Sequence, residues 1–223
     1  GPYTLVLRPE LRIDSVEKLK AYKGLRFANR SVGHSMYNID RVMAYILDLQ
    51  NPTWVLGYSS PEIDPALERK EADARSNSIP SFMRATPHLL KNGYTAPIVM
   101  KNIKGRGAEA VPGFPHGATV LERFANTEMK REILLFHRNV RPPGGVVALK
   151  GIPRVAQQEL EKAFEKLWQD AEFAKHYQKL TGADADPATG AEIRQAIETI
   201  PKDPQIVRVY KQLIGAGPLP VHR

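Results

Sequence analysis

The 223-residue sequence contains no cysteine. This excludes disulfides, thiol nucleophiles and cysteine-ligated metals together. No apolar run approaches the ~18 residues that would suggest a membrane-spanning helix. The first residues lack the charged-then-apolar pattern of a signal peptide. Aromatic residues are few, at 8%. They do not interleave with basic residues as a nucleic-acid-stacking surface requires, so no nucleic-acid partner is expected. The histidines at 34, 88, 116, 137, 176 and 222 form no His-x-His or His-x-x-x-His pair. No metal site and no cofactor is therefore expected. Gly105-Arg106-Gly107 lacks the later glycine and the Lys-Ser/Thr pair of a phosphate loop.

What is present suffices for one large domain or two small lobes, with 42% hydrophobic and 25% charged residues. The net charge is +8. Its lysines and arginines are mixed with acids, as in Glu159, Glu161, Lys162, Glu165 and Lys166, which reads as a solvated surface. The Lys101, Lys104 and Arg106 cluster reads as a solvated loop, and the Phe164 and Trp168 stripe as core.

Alternating strands and helices are expected up to about residue 101, and mostly helices after it. Strand patterns fall at 3–7, 25–29, 53–57, around 73–75, within 97–103 and at 146–149. Asp14 to Glu17 reads as a capping box for a short helix ending near Tyr22. Ser60-Pro61-Glu62 reads as a capped start for a helix ending near Ala72. Ser78-Ile79-Pro80 opens another, interrupted by Pro87. The segment 104–117 is rich in Gly and Pro and reads as a loop or linker. Residues 118–139 give one or two helices, and Pro142 to Gly145 break them. Thr189 to Glu192 is a second capping box. This rhythm predicts a mainly parallel sheet with helices packed on it.

The most informative stretch is Leu25 to Ser35. It reads as a strand, a polar loop and the start of an amphipathic helix over 35–49, with Met36, Ile39, Met43, Ile46 and Leu47 on one face. Ser31 and Ser35 are natural caps, and Gly33 permits tight turning. A helix N-terminus presents unused N–H groups and a partial positive charge, so it can hold a carboxylate or phosphate without a catalytic group. Arg30 and His34 add donors there. Tyr58, Ser59 and Ser60 end another strand, and Arg75 to Ser78 form a third donor cluster. Ligands gather beyond the carboxyl ends of parallel strands, so these loops are expected on one edge. The ligand-binding set is Arg30, Ser31, Gly33, His34, Ser35, Tyr58, Ser59 and Asn77.

Gly33-His34-Ser35-Met36-Tyr37 invites one other reading, the Gly-x-Ser-x-Gly elbow of serine hydrolases. Tyr37 stands where the second glycine belongs, and neither His137 nor His176 lies in a recognisable motif. No enzyme is expected, and no catalytic residue is assigned.

The order of segments resembles the solute receptors of tripartite tricarboxylate transporters, the Bug-type periplasmic binding proteins. Leu5 to Pro9 followed by Ser15 to Leu19 is similar to that family's crossover strand and next helix. The Ser31 to Ser35 loop is similar to its Ser/Gly-rich ligand loop, and Tyr58-Ser59-Ser60 with Ala66-Leu67 to its Tyr-Lys-Gly/Ser…Ala-Leu segment. Val111-Pro112-Gly113 resembles a proline-rich family loop loosely. Ala148 to Pro153, Asp170 to Phe173 and Asp186 to Glu192 resemble three C-terminal motifs.

The resemblance implies an α/β, periplasmic-binding-protein-like (type II) two-lobed fold with one lobe incomplete in this chain. Residues 1–145 would be the central lobe, and 146–223 a mostly helical part completing the other. It implies a periplasmic receptor for a small carboxylate that feeds membrane transporter subunits. The family's N-terminal segment is missing, so the chain is a fragment or another protein chain supplies the piece. The alternative is a receptor-derived interaction or structural subunit. Arg30 and His34 replace smaller or polar residues of the family's loop, so the ligand is expected to differ.

Overall fold

The computed structural model describes residues 1–107, 109, 113–115, 117–140, 150–181 and 184–221. The expected strand at 146–149, the breaker at 142–145 and the motif positions Val111, Pro112, Ala148 and Leu149 lie outside them.

Strands β1 (Tyr3–Leu7), β2 (Arg26–Ala28), β3 (Thr53–Val55), β4 (Ala74–Ser78), β5 (Ile98–Met100) and β6 (Thr119–Val120) form one sheet. Their order is β3-β2-β4-β1-β5-β6. β2 is parallel to β3 and β4, as the βα rhythm predicts, and β5 is parallel to β6, a strand that falls inside the 118–139 stretch expected as helix. β1 is the exception, running antiparallel between β4 and β5. Tyr3 therefore sits opposite Ser78 and Met100, which brings the start of β1 to the carboxyl edge of its neighbours.

Helix α1 (Val16–Ala21) is capped by Ser15, whose Oγ accepts from Lys18 N. The expected box fails because Lys18, not an acid, holds the third helical position. Asp14 instead pairs with the Lys18 ammonium at 2.8 Å. α2 (Ser35–Leu47) carries ten buried residues and crosses the sheet. Its cap is His34, whose Nδ1 accepts from Met36 N, in place of the expected serines. Ahead of α3 (Ile63–Glu68), a 3-10 turn at Ser60–Glu62 is capped by Ser59 in a box with Glu62. The cap thus lies one residue earlier than expected, and the helix ends sooner. Ser78 caps α4 (Ile79–Ala85), and α5 (His88–Lys91) follows the break at Pro87.

α6 (Glu128–Asn139) and α10 (Pro204–Leu213) pack beside α2. Ile206, Tyr210 and Leu213 enter the same core as Val42, Ile46 and Ile133. α7 (Arg154–Gln169), α8 (Ala171–Thr181) and α9 (Gly190–Glu198) differ in kind. No residue of α7 or α9 is buried. The stripe expected as core leaves Leu160 48% and Phe164 36% exposed. Thr189 and Glu192 do form the expected capping box on α9.

Asp73 ties the opposite edge of the sheet. It accepts from Arg8 Nε at 2.9 Å and from the backbone and guanidinium of Arg26. Burial alone would raise its pKa, but the Arg26 and Arg8 hydrogen bonds outweigh that and hold it below the ordinary carboxylate value.

Candidate functional site

Two separate features lie along the carboxyl edge of the sheet. The first is the pair of loops after β2 and β3. Asn29 N donates to Val55 O at 2.9 Å, Tyr58 N to Asn29 O at 3.3 Å and Gly57 N to Arg30 O at 2.9 Å. These bonds extend the β2–β3 ladder and set the loops side by side. The Arg30 guanidinium reaches Ser60 Oγ at 3.4 Å. Ser31, Val32 and Gly33 are exposed, and Ser31 O accepts from His34 N at 3.2 Å. Gly33 sits at φ +78°, where a side chain would be strained. Ser35 opens α2, so its backbone is helical and the strained turn of a nucleophile elbow is not built around it.

Two of the expected hydroxyls serve the local structure. Ser59 Oγ contacts Glu62 Oε2 at 2.6 Å within the capping box. Tyr58 OH donates to Glu71 Oε2 at 3.1 Å. Burial first, then this bond, pushes the Tyr58 pKa up. Both nearby carboxylates are held charged: Glu62 is lowered by Ser59, and Glu71 by Arg69 at 2.6 Å. Asn77, half-buried, stands on β4 opposite Thr4 of β1. The structure thus joins the 29–35 and 57–60 loops directly and places Asn77 on the adjoining strand, the next-but-one after β3.

The second feature is an open cleft of about 1880 Å³ between the sheet edge and helices α7 and α9. Tyr3, Ser78, Ser81, Arg84, Met100 and Asn102 form its sheet side. Leu160, Phe164, Trp168 and Ile193 form its helical side. The loops after β2 and β3 do not line it. The loop following β5 is pinned across one end. Asn102 Nδ2 donates to Asp186 Oδ2 at 2.8 Å, and Lys104 Nζ to Pro187 O at 2.6 Å. Arg106 also pairs with Asp186. Lys104, partly buried, is therefore a bridging group, whereas Arg106, paired with Asp186, keeps the exposure expected of a solvated loop. Of the sheet side of the cleft, sequence reasoning singled out only Ser78, within the Arg75–Ser78 donor cluster. Tyr3 and Met100 share it with Ser78 only because β1 inserts antiparallel between β4 and β5, and no local pattern signals that insertion. Among the described residues, no group of acids and histidines could hold a metal ion. No helix among them is long and apolar enough to cross a membrane.

No family model matches the chain, and no curated protein matches it in sequence. Solved structures do match in fold. Rpa4515 of R. palustris, described with adipate, shares 15% identity at a TM-score of 0.57, covering 94% of this chain and 63% of its own. MatC from Rhodopseudomonas palustris, with bound malate, shares 16% identity at 0.55, covering 96% and 66%. The periplasmic binding protein BugD shares 16% at 0.54, covering 95% and 66%. The fold is that of the Bug-type solute-binding proteins. This chain spans slightly less than two thirds of the length of these structures, which fits a two-lobed fold with one lobe incomplete here.

Proposed function

We propose that this chain is part of a periplasmic receptor that captures a small carboxylate and delivers it to the membrane subunits of a tripartite tricarboxylate-type transporter. The fold supports the reading, as do the adipate and malate described with two similar structures. The observation that carries it is the start of α2: an exposed Ser31–Gly33 loop, beside Arg30, at the carboxyl edge of parallel strands. Helix-start N–H groups, with Ser31, Gly33, His34 and Ser35, surround one carboxylate, and Arg30 adds a forked donor. Tyr58, Ser59 and Asn77 line the neighbouring edge. No step of this chemistry is catalytic; the site grips and releases. Residues 1–145 serve as the central lobe and 146–223 as the mostly helical part completing the other, except that α10 returns to the core of the central lobe.

Calorimetric titration with malate, adipate and a panel of mono- and dicarboxylates tests the reading. Ser31→Ala with Ser35→Ala is expected to weaken binding about 10- to 100-fold, the loss of one or two charge-assisted hydrogen bonds, while the unfolding midpoint holds. Unchanged affinity removes this site assignment. A second reading, a receptor-derived structural subunit, is favoured by the exposed apolar faces of α7 to α9. Absence of heat with every carboxylate would favour it.

A further inference from the structure

We infer that the Asp40 carboxyl donates a hydrogen bond to the Asn29 carboxamide, closing a two-bond ring that positions the loop leaving β2 and, with it, the carboxylate site. The ring stands on its own observations; its effect on binding rests on the receptor reading.

The first observation is a pair of unsatisfied atoms. Asn29 Nδ2 donates to Asp40 Oδ2 at 2.9 Å, and both residues are fully buried. Asn29 Oδ1 and Asp40 Oδ1 have no hydrogen-bond partner among the described residues. A buried polar atom without a partner is destabilising, so two of them on one bonded pair need a cause. A carboxamide and a carboxylic acid pair through two hydrogen bonds. The first of these is present, and the atoms of the second are the two left over. An amide oxygen only accepts, so the hydrogen of the second bond comes from the acid.

The second observation is where Asn29 stands. It follows β2 directly, and its backbone joins the two loops: N donates to Val55 O at 2.9 Å, and O accepts from Tyr58 N at 3.3 Å. Asp40 lies in the second turn of α2, the helix that Ser35 opens. The pair therefore ties that helix to the junction from which both loops leave. An ionised Asp40 has no hydrogen to give, and its charge repels the amide oxygen. The junction then loses one of its two side-chain bonds.

The third observation is the surroundings. Burial is the largest influence on Asp40 and raises its pKa to about 7, while Ser76, Asn29 and Arg75 pull it down. Arg75 of β4 is already paired with Asp64 of α3 at 2.6 Å. The other elements packed on α2 bring ionisable groups with bonds of their own. Lys130 of α6 meets Asp48 at 2.7 Å, and His137 of α6 meets Tyr210 of α10 at 2.9 Å. Glu122 of the 121–124 turn accepts from Lys101 N at 3.1 Å, and the neighbouring Arg41 donates to Gly217 O at 2.8 Å.

Two measurements test the ring. In ligand-free protein, carbon-13 NMR is expected to show the Asp40 carboxyl titrating near 7, with the Asn29 side-chain amide and the backbone amides of 30–35 moving at the same midpoint. An Asp40 already ionised at about pH 5, or an Asn29 amide that ignores its titration, overturns the inference. Calorimetry then uses malate or adipate, whichever binds, both ionised above about pH 6. If only the protonated form is competent, affinity falls about tenfold from about pH 6 to about pH 8. Asp40→Asn presents a permanent donor to the same oxygen and is expected to abolish that fall. Asp40→Leu presents none and is expected to bind about tenfold more weakly even at low pH. A fall that survives Asp40→Asn belongs to His34, the imidazole of the same loop, and overturns the inference. Coupled titration of Asp40 and Asn29 with no carboxylate binding at any pH supports the ring and removes the receptor reading instead.

Discussion

Arg41 is a fully buried guanidinium that makes no ion pair with a carboxylate among the described residues. It donates to the carbonyls of Leu213, Gln212 and Gly217, and stacks 4.4 Å from the Trp54 ring and 5.4 Å from Tyr37. Carbonyls at the end of α10 and two ring faces thus replace water around the charge. Arg41→Met should cost about 2–4 kcal/mol in urea unfolding, because several carbonyls lose their donor. Asp40, one residue before it on α2, is also a buried ionisable group. Burial raises its pKa from 3.8 to about 7, against the pull of Ser76, Asn29 and Arg75. Between those values the folded state keeps a proton that the unfolded chain releases. Asp40's contribution is therefore complete below pH 3.8, fades as pH rises, and is gone above about 7. Asp40→Asn, which mimics the protonated acid, should flatten that part of the stability–pH curve. A slope that survives the substitution would show another group to be responsible.

Helix starts were more legible than helix partners. The capping boxes and cap residues depend on neighbours three positions away, so the start of α4 and the box at Thr189 followed from the sequence. Two caps moved by one residue, to Ser59 and His34, because an imidazole Nδ1 can accept like a hydroxyl and because Glu62 suits Ser59 better than Ser60. Burial is another matter. The stripes of α2 and α7 look alike in sequence, but only α2 has a sheet beneath it. Thr189→Ala should remove about 1 kcal/mol from α9. Since α9 buries no residue, the effect should show as faster amide exchange confined to 190–198, with the global midpoint nearly unmoved.

The whole assembly of elements produces the cleft and the site's edge. If the receptor reading holds, a ligand at a hundred times its Kd should stabilise the chain by about 2.7 kcal/mol, seen as a rising midpoint in thermal unfolding with malate or adipate. A midpoint insensitive to every carboxylate would count against it. The sequence by itself determined the alternation of strands and helices, the loop that opens α2, and the exclusion of disulfides and cysteine-ligated metals. Each of these rests on interactions between residues a few positions apart, or on composition. Only the tertiary structure decided the antiparallel insertion of β1, the joining of the 29–35 and 57–60 loops, the return of α10 to the α2 core and the exposure of the α7 stripe. These depend on contacts between distant residues. A hydrophobic period tells which face of an element seeks cover, but not what covers it.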